Sequence, residues 1–158
     1  MAFTSTIRGM FQRPRARSES MTSTAEANKA VILRLYEEAV NRAEFEVADE
    51  ITAPDAVMHN ALYSGRTGPE VIKSTWESLH ESFSDLRFEI EGIVADGDSV
   101  AVRGVTTGRH TGTFRGHAPT GRSVSQRAHV FYGLKGGRIT EVWPLVDHMG
   151  LQQQITGA

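Results

Sequence analysis

From Leu86 onward the chain alternates: Leu86, Phe88 and Ile90 against Arg87, Glu89 and Glu91. A period of two marks strands with one buried face. Three further runs follow, Ser99 to about Arg109, Ser123 to Leu134, and Gly137 to Asp147. Asp96-Gly97-Asp98 joins the first pair and Lys135-Gly136-Gly137 the last. Connections this short link antiparallel neighbours. The remaining link, Gly112 to Gly121, is longer and Gly-rich. The second half of the chain is therefore constrained to one antiparallel sheet.

The first half has a helical period. Ser23-Thr24-Ala25-Glu26 fits a capping box, and Ile32, Leu35, Tyr36, Ala39 and Val40 recur at helical spacing. This predicts a first helix from about Thr24 to Asn41. A short second helix is predicted around Phe45 to Ile51, stopped by Pro54. Ala56 to His59 reads as a short strand. A third helix starts at Pro69 and carries Val71, Ile72, Trp76, Leu79 and Phe83 on its apolar stripe. A short C-terminal helix is predicted near His148 to Gln154. Helices segregated from an antiparallel sheet make an α+β fold: three N-terminal helices on a strongly curved sheet, enclosing a conical cavity.

The length, 158 residues, suits one domain, and the sequence shows no internal repeat. Residues 23–158 are read as that domain. Residues 1–22 carry Arg8, Arg13, Arg15 and Arg17 among Ser, Thr and Gly, and are expected to be a disordered basic tail, with an organelle-targeting peptide as the alternative. Met21 is an alternative start. A net charge of −2 provides no field for nucleic acid or an anionic membrane. No apolar run reaches the ~20 residues of a membrane span. With no cysteine there is no disulfide framework, thiolate metal site or thiol nucleophile. The six histidines lack the spacing of a zinc or iron site, so no metal is expected. The Gly-rich link lacks Gly-Lys-Ser/Thr and leads into a strand, so it is no phosphate loop. A cytoplasmic protein is expected.

Asp147 ends the last strand. Strict alternation points Ile139, Glu141, Trp143, Leu145 and Asp147 the same way, and three of these are apolar. A carboxylate at the inner end of such a row is costly unless paired or protonated, and proton transfer is a common reason to accept that cost. The alternative is that Asp147 caps the helix that follows.

Four stretches stand out as motifs: Gly108-Arg109-His110-Thr111-Gly112, Gly116-x-x-Pro119-Thr120-Gly121-Arg122, Gly137-Arg138-Ile139-x-Glu141-x-Trp143 with Asp147, and Gly150-Leu151-x-x-Gln154. In this order and spacing they resemble the SnoaL-like polyketide cyclase (ester cyclase) family of the NTF2-like superfamily. The resemblance spans roughly residues 26–157. The chain departs from the family pattern at its end, where Thr156 is inserted before Gly157, and at His117. The resemblance implies the α+β cone and an intramolecular aldol closure without cofactor or metal. It also implies a small polyketide-like substrate and a homodimer paired through the sheet. It puts the family's acid/base on Asp147 and its histidine on His110.

Aldol closure needs a proton taken from carbon beside a carbonyl and one delivered to the alkoxide. Asp147 is expected to do both. His110 is expected to donate a hydrogen bond to the enolate oxygen, or else to be structural. His59 and Asn60 are placed at the cavity mouth. His129 either touches the ligand or pairs with a neighbour. Arg103 and Arg127 hold a carboxylate, of the substrate or of Glu141. Trp76, Trp143, Tyr36, Phe83 and Phe131 line the cavity or the core. Three alternatives stand beside the cyclase: a hydroxylation-associated enzyme, epoxide opening in the same cavity, and a small-molecule-binding dimer without turnover.

Overall fold

The computed structural model describes residues 15–59 and 65–158. α1 (Arg15–Arg34) runs directly into a π-helical turn (Leu35–Val40). α2 (Val47–Ile51) leads into β1 (Thr52–Met58), and α3 (Glu70–Ser82) into β2 (Phe83–Asp96). Then come β3 (Ser99–His110), β4 (Ser123–Lys135), β5 (Arg138–Val146) and α4 (His148–Thr156). The strands form one curled, unclosed sheet in the order β1-β5-β4-β3-β2. β2, β3, β4 and β5 pair antiparallel as their turns require, while β1 adds to the β5 edge in parallel.

One sheet face meets the helices. β4 shows the pattern most plainly: Val124, Gln126, Ala128, Val130, Tyr132 and Leu134 are buried, and the residues between them are not. Ile32, Leu35, Tyr36, Ala39 and Val40 close the core from the helical side together with Val71 and Ile72 of α3. Two adjacent pairs, Leu35–Tyr36 and Ala39–Val40, are all buried in the π-helical turn, where Asn41 N–H donates five residues back to the Tyr36 carbonyl at 2.8 Å. Asn41 then clamps the strand: its side chain accepts from Phe88 N–H at 2.8 Å and donates to the Phe88 carbonyl at 3.1 Å.

Three expectations about the helical half change. α1 starts at Arg15, with no Gly or Pro to interrupt it before Arg34. Ser23 therefore lies within the helix rather than at its N-cap, and α1 includes residues 15–22. Residues 1–14 and Asn60 lie outside the described residues. Pro54 sits within β1, tolerated because β1 is an edge strand where a missing N–H breaks no ladder.

The most consequential change is a β-bulge. Gly133 pairs with Glu141, but Leu134 pairs with Ile139, leaving Thr140 as the extra residue. Its hydroxyl donates to the Gly133 carbonyl at 3.1 Å. One inserted residue inverts the parity of everything after it. Ile139 points inward, but so do Val142, Pro144 and Val146, which line the interior. Trp143, Leu145 and Asp147 are exposed. Among the described residues no helix is long and apolar enough to cross a membrane.

Candidate active site

A cavity of about 230 Å³ lies between α3, the π-helical turn and the inner sheet face. One wall is aromatic. Phe88 stacks on Tyr36 with ring centroids 4.1 Å apart and planes 18° from parallel. Trp76 stands edge-on to both, at 6.3 and 6.2 Å. The Tyr36 and Tyr132 hydroxyls meet at 2.6 Å. Burial pushes both phenols above the usual tyrosine range, so both stay protonated. Ala128, Val130 and Val142 make the opposite wall apolar.

The polar end is built around His148, the first residue of α4. Its Nδ1 lies 3.3 Å from Arg115 Nη2 and 3.4 Å from Gln126 Nε2. Gln126 Nε2 also donates to the Asp147 carbonyl at 3.2 Å. A guanidinium can only donate, so Nδ1 is the acceptor, and the neutral ring carries its proton on Nε2. Burial, then the Arg115 charge, pulls the His148 pKa below the ordinary histidine value, against a weaker opposing pull from the Asp147 carboxylate.

Arg115 arrives on a tight hairpin. Phe114 and His117 exchange backbone hydrogen bonds at 3.0 and 2.9 Å, and Arg115 and Gly116 between them have φ of +48° and +83°. This is the geometry of a type I′ turn, which favours Asn or Gly at the position Arg115 fills. The guanidinium carbon sits 5.4 Å from the Phe114 ring centroid.

Of the residues expected at the site, Tyr36 and Trp76 line the cavity, and His59, Phe83, Arg103, His110, Arg127, His129, Phe131, Trp143 and Asp147 do not. Asp147 is exposed at the N-cap of α4, where its Oδ1 accepts from Gly150 N–H at 2.8 Å; the bulge at Thr140 turned it out of the inner face. His110 is fully buried beside the α3–β2 junction. Its Nδ1 is 3.1 Å from Thr120 Oγ1, and its ring is 5.4 Å from that of Phe83. His59 and Trp143 stack at 4.7 Å on the outer sheet face, where His59 Nε2 meets Glu141 Oε2 at 2.8 Å. Arg103 and Arg127 share Glu91, at 3.6 and 3.3 Å, rather than Glu141. His129 and Phe131 are exposed on the same outer face, because the inward parity of β4 belongs to the even-numbered residues.

His148, Arg115 and Gln126 had not been singled out. The one available signal for His148 was its place after Asp147 at a helix start. Arg115 was signalled by a bulky residue before Gly in a tight turn.

The family model for SnoaL-like polyketide cyclases matches residues 30–155, from α1 to the end of α4. The chain belongs to the SnoaL-like polyketide cyclase family. Its fold is that of the NTF2-like superfamily. Among solved structures, IdmH, a putative polyketide cyclase from Streptomyces antibioticus, is 30% identical. That alignment covers 82% of this chain and 98% of IdmH with a TM-score of 0.72. AclR, a putative hydroxylase from Streptomyces galilaeus, is 25% identical over 85% and 83% of the two chains, TM-score 0.75. A putative polyketide cyclase from Acidithiobacillus ferrooxidans is 26% identical over 84% and 96%, TM-score 0.73. No curated protein sequence matches the chain.

The stretches that carried the family likeness mostly hold the frame. A Cβ on Gly112 would lie 2.1 Å from the Glu81 carbonyl oxygen, so only glycine lets the loop pass the end of α3. Arg122 donates to the Gln154 and Ile155 carbonyls at 3.2 and 3.3 Å, covering the C-terminal end of α4. Gly150 packs directly beneath the Asp147 carboxylate, where a Cβ would require that side chain to shift.

Proposed function

We propose that the cavity carries out a cofactor-independent ring closure or isomerisation of a polyketide-like dicarbonyl compound, with His148 as the group that takes and returns the proton. The observation that carries this reading is a neutral imidazole at the polar end of an aromatic, apolar cavity in a chain of the cyclase family. His148 takes the acid/base role first expected of Asp147, because its ring lines the cavity and the Asp147 carboxylate caps a helix.

In the first step the Nδ1 lone pair accepts a proton from the carbon beside a substrate carbonyl, leaving an enolate and an imidazolium. The contacts to Nδ1 are long and weak, so a substrate displaces them at small cost. The enolate carbon then attacks a second carbonyl of the same molecule, forming a C–C bond and an alkoxide. The imidazolium returns the proton to that oxygen. Burial, and after it the Arg115 cation, keep the resting imidazole neutral and make the imidazolium a stronger acid than an ordinary one, which favours the return. The product is an isomer of the substrate, or one water lighter after dehydration.

Polyketide keto-esters offered to the protein and read by mass spectrometry test this. His148→Gln should bind ligand and lose about 100-fold or more in turnover. Asp147→Asn should keep turnover within a few-fold. The reverse pattern returns the acid/base role to Asp147. A product heavier by one oxygen would favour the hydroxylation-associated reading, which the likeness to AclR supports. Oxygen taken from labelled water would favour epoxide opening, and binding without mass change a module without turnover.

We also propose a homodimer through the outer sheet face. Phe131, Trp143 and Leu145 are 59%, 41% and 75% exposed there. The Arg103–Glu91–Arg127 and His59–Glu141 pairs supply both signs of charge around them. A patch of mixed sign can complement itself across a two-fold axis.

A further inference from the structure

Tyr36 and Tyr132 are 96 positions apart in sequence and meet hydroxyl to hydroxyl at 2.6 Å. Both are nearly fully buried, 2% and 5% exposed, and both line the cavity. Such a pair holds two hydroxyl protons but makes one O···O contact. Whichever phenol donates, the other keeps a proton with no acceptor among the described residues. Buried donors are as a rule satisfied. A hydroxyl proton whose oxygen already accepts a short bond is also polarised toward stronger donation. Burial keeps both phenols protonated at physiological pH, so the surplus donor is permanent.

The surroundings define what it can take. Phe88 lies flat on Tyr36 and Trp76 stands edge-on beside them, so the walls favour a planar guest. In this mainly apolar cavity a fixed donor acts on developing charge more strongly than in bulk water. We infer that the Tyr36–Tyr132 pair is a binding site for an enolate or phenolate oxygen, the donor that stabilises the oxyanion of a flat, acidic enol. For its natural ligand the inference rests on the proposed cyclase reading; the hydrogen-bonding site rests on the pair itself. No proton leaves either tyrosine. The pair acts only by its surplus O–H, while His148 moves the proton.

The test needs no natural substrate. 4-Nitrophenol reports its own ionisation by absorbance, and it is titrated into the full chain at a pH near its solution pKa. The wild-type protein should bind the probe and display the phenolate band, so the probe becomes more acidic on binding. Tyr132→Phe and Tyr36→Phe keep both rings and remove one oxygen each. Each should weaken phenolate binding by about tenfold or more, with thermal melts showing that the fold is retained. If one variant fails to fold, the other is read alone, and the wild-type ionisation shift stands as its own test. Unchanged affinity in the folded variants, binding of the neutral phenol only, or no binding at millimolar probe would each overturn the site. Those results leave His148 proton transfer intact, and a failed cyclase assay leaves a positive probe result standing.

Discussion

In the proposed reaction His148 serves as the base because of what sits beside it. Burial and the Arg115 cation both disfavour the imidazolium, so its titration falls below the ordinary value of 6.5. The rate should therefore rise with pH along a limb below 6.5 and be flat at neutral pH. Arg115→Asn removes the cation and should move that limb upward. It should also hold or raise the melting temperature, because Asn tolerates the left-handed backbone at φ +48° better than Arg does. A pH profile of kcat/KM with parallel melts reads both, and a limb that stays put would assign it to another group. The same shift acts on stability. The unfolded chain binds the His148 proton more tightly, so this contribution is complete above about 6.5 and is lost as pH falls through the folded pKa. Asp147 predicts a different signature. Asp147→Ala should cost about 0.5–2 kcal/mol through the lost N-cap, and Asp147→Asn very little, in thermal or chemical unfolding.

Among the elements, β5 shows why faces are harder to read than strands. The strand was legible from Ile139 to Val146, but both parities after Thr140 are apolar: Val142, Pro144 and Val146 on one, Trp143 and Leu145 on the other. Alternation alone therefore could not reveal the extra residue. Deleting Thr140 restores strict alternation and should drive Val142 and Val146 outward. We expect that variant to lose the cooperative thermal transition. Thr140→Val keeps the bulge and loses one hydroxyl hydrogen bond, an expected cost of about 0.5–1.5 kcal/mol. A deletion variant as stable as the parent would show that the bulge does not set the face. The Gly-x-His-x-Gly stretch was legible as a motif, but its work is at the α3–β2 junction. Gly112 clears the Glu81 carbonyl, and Thr111 and Gly112 N–H groups donate to Ser82 O at 3.1 and 2.9 Å. A short polar motif reads the same whether it lines a cavity or ties a loop, because what differs is the surface it meets.

At the level of the whole molecule, one side of the sheet is closed by helices and the other carries aromatic and charged groups facing outward. Leu145→Lys places a charge in the middle of the outer patch. It should shift the mass measured by light scattering from dimer to monomer while leaving the cavity's ligand affinity unchanged. A wild-type chain that is monomeric at micromolar concentration would refute the pairing.

The strand count, the antiparallel order, the α+β class and the family follow from periodicity, turn chemistry and motif order, which are local properties that a linear chain carries in full. Which residues share the cavity does not. Tyr36, Arg115, Gln126, Tyr132 and His148 come from four separate segments and are joined only by the sheet's curl and one inserted threonine. A slip of one residue costs little in local pattern yet exchanges inside for outside, so only the packed fold decided that His148 rather than Asp147 lines the cavity.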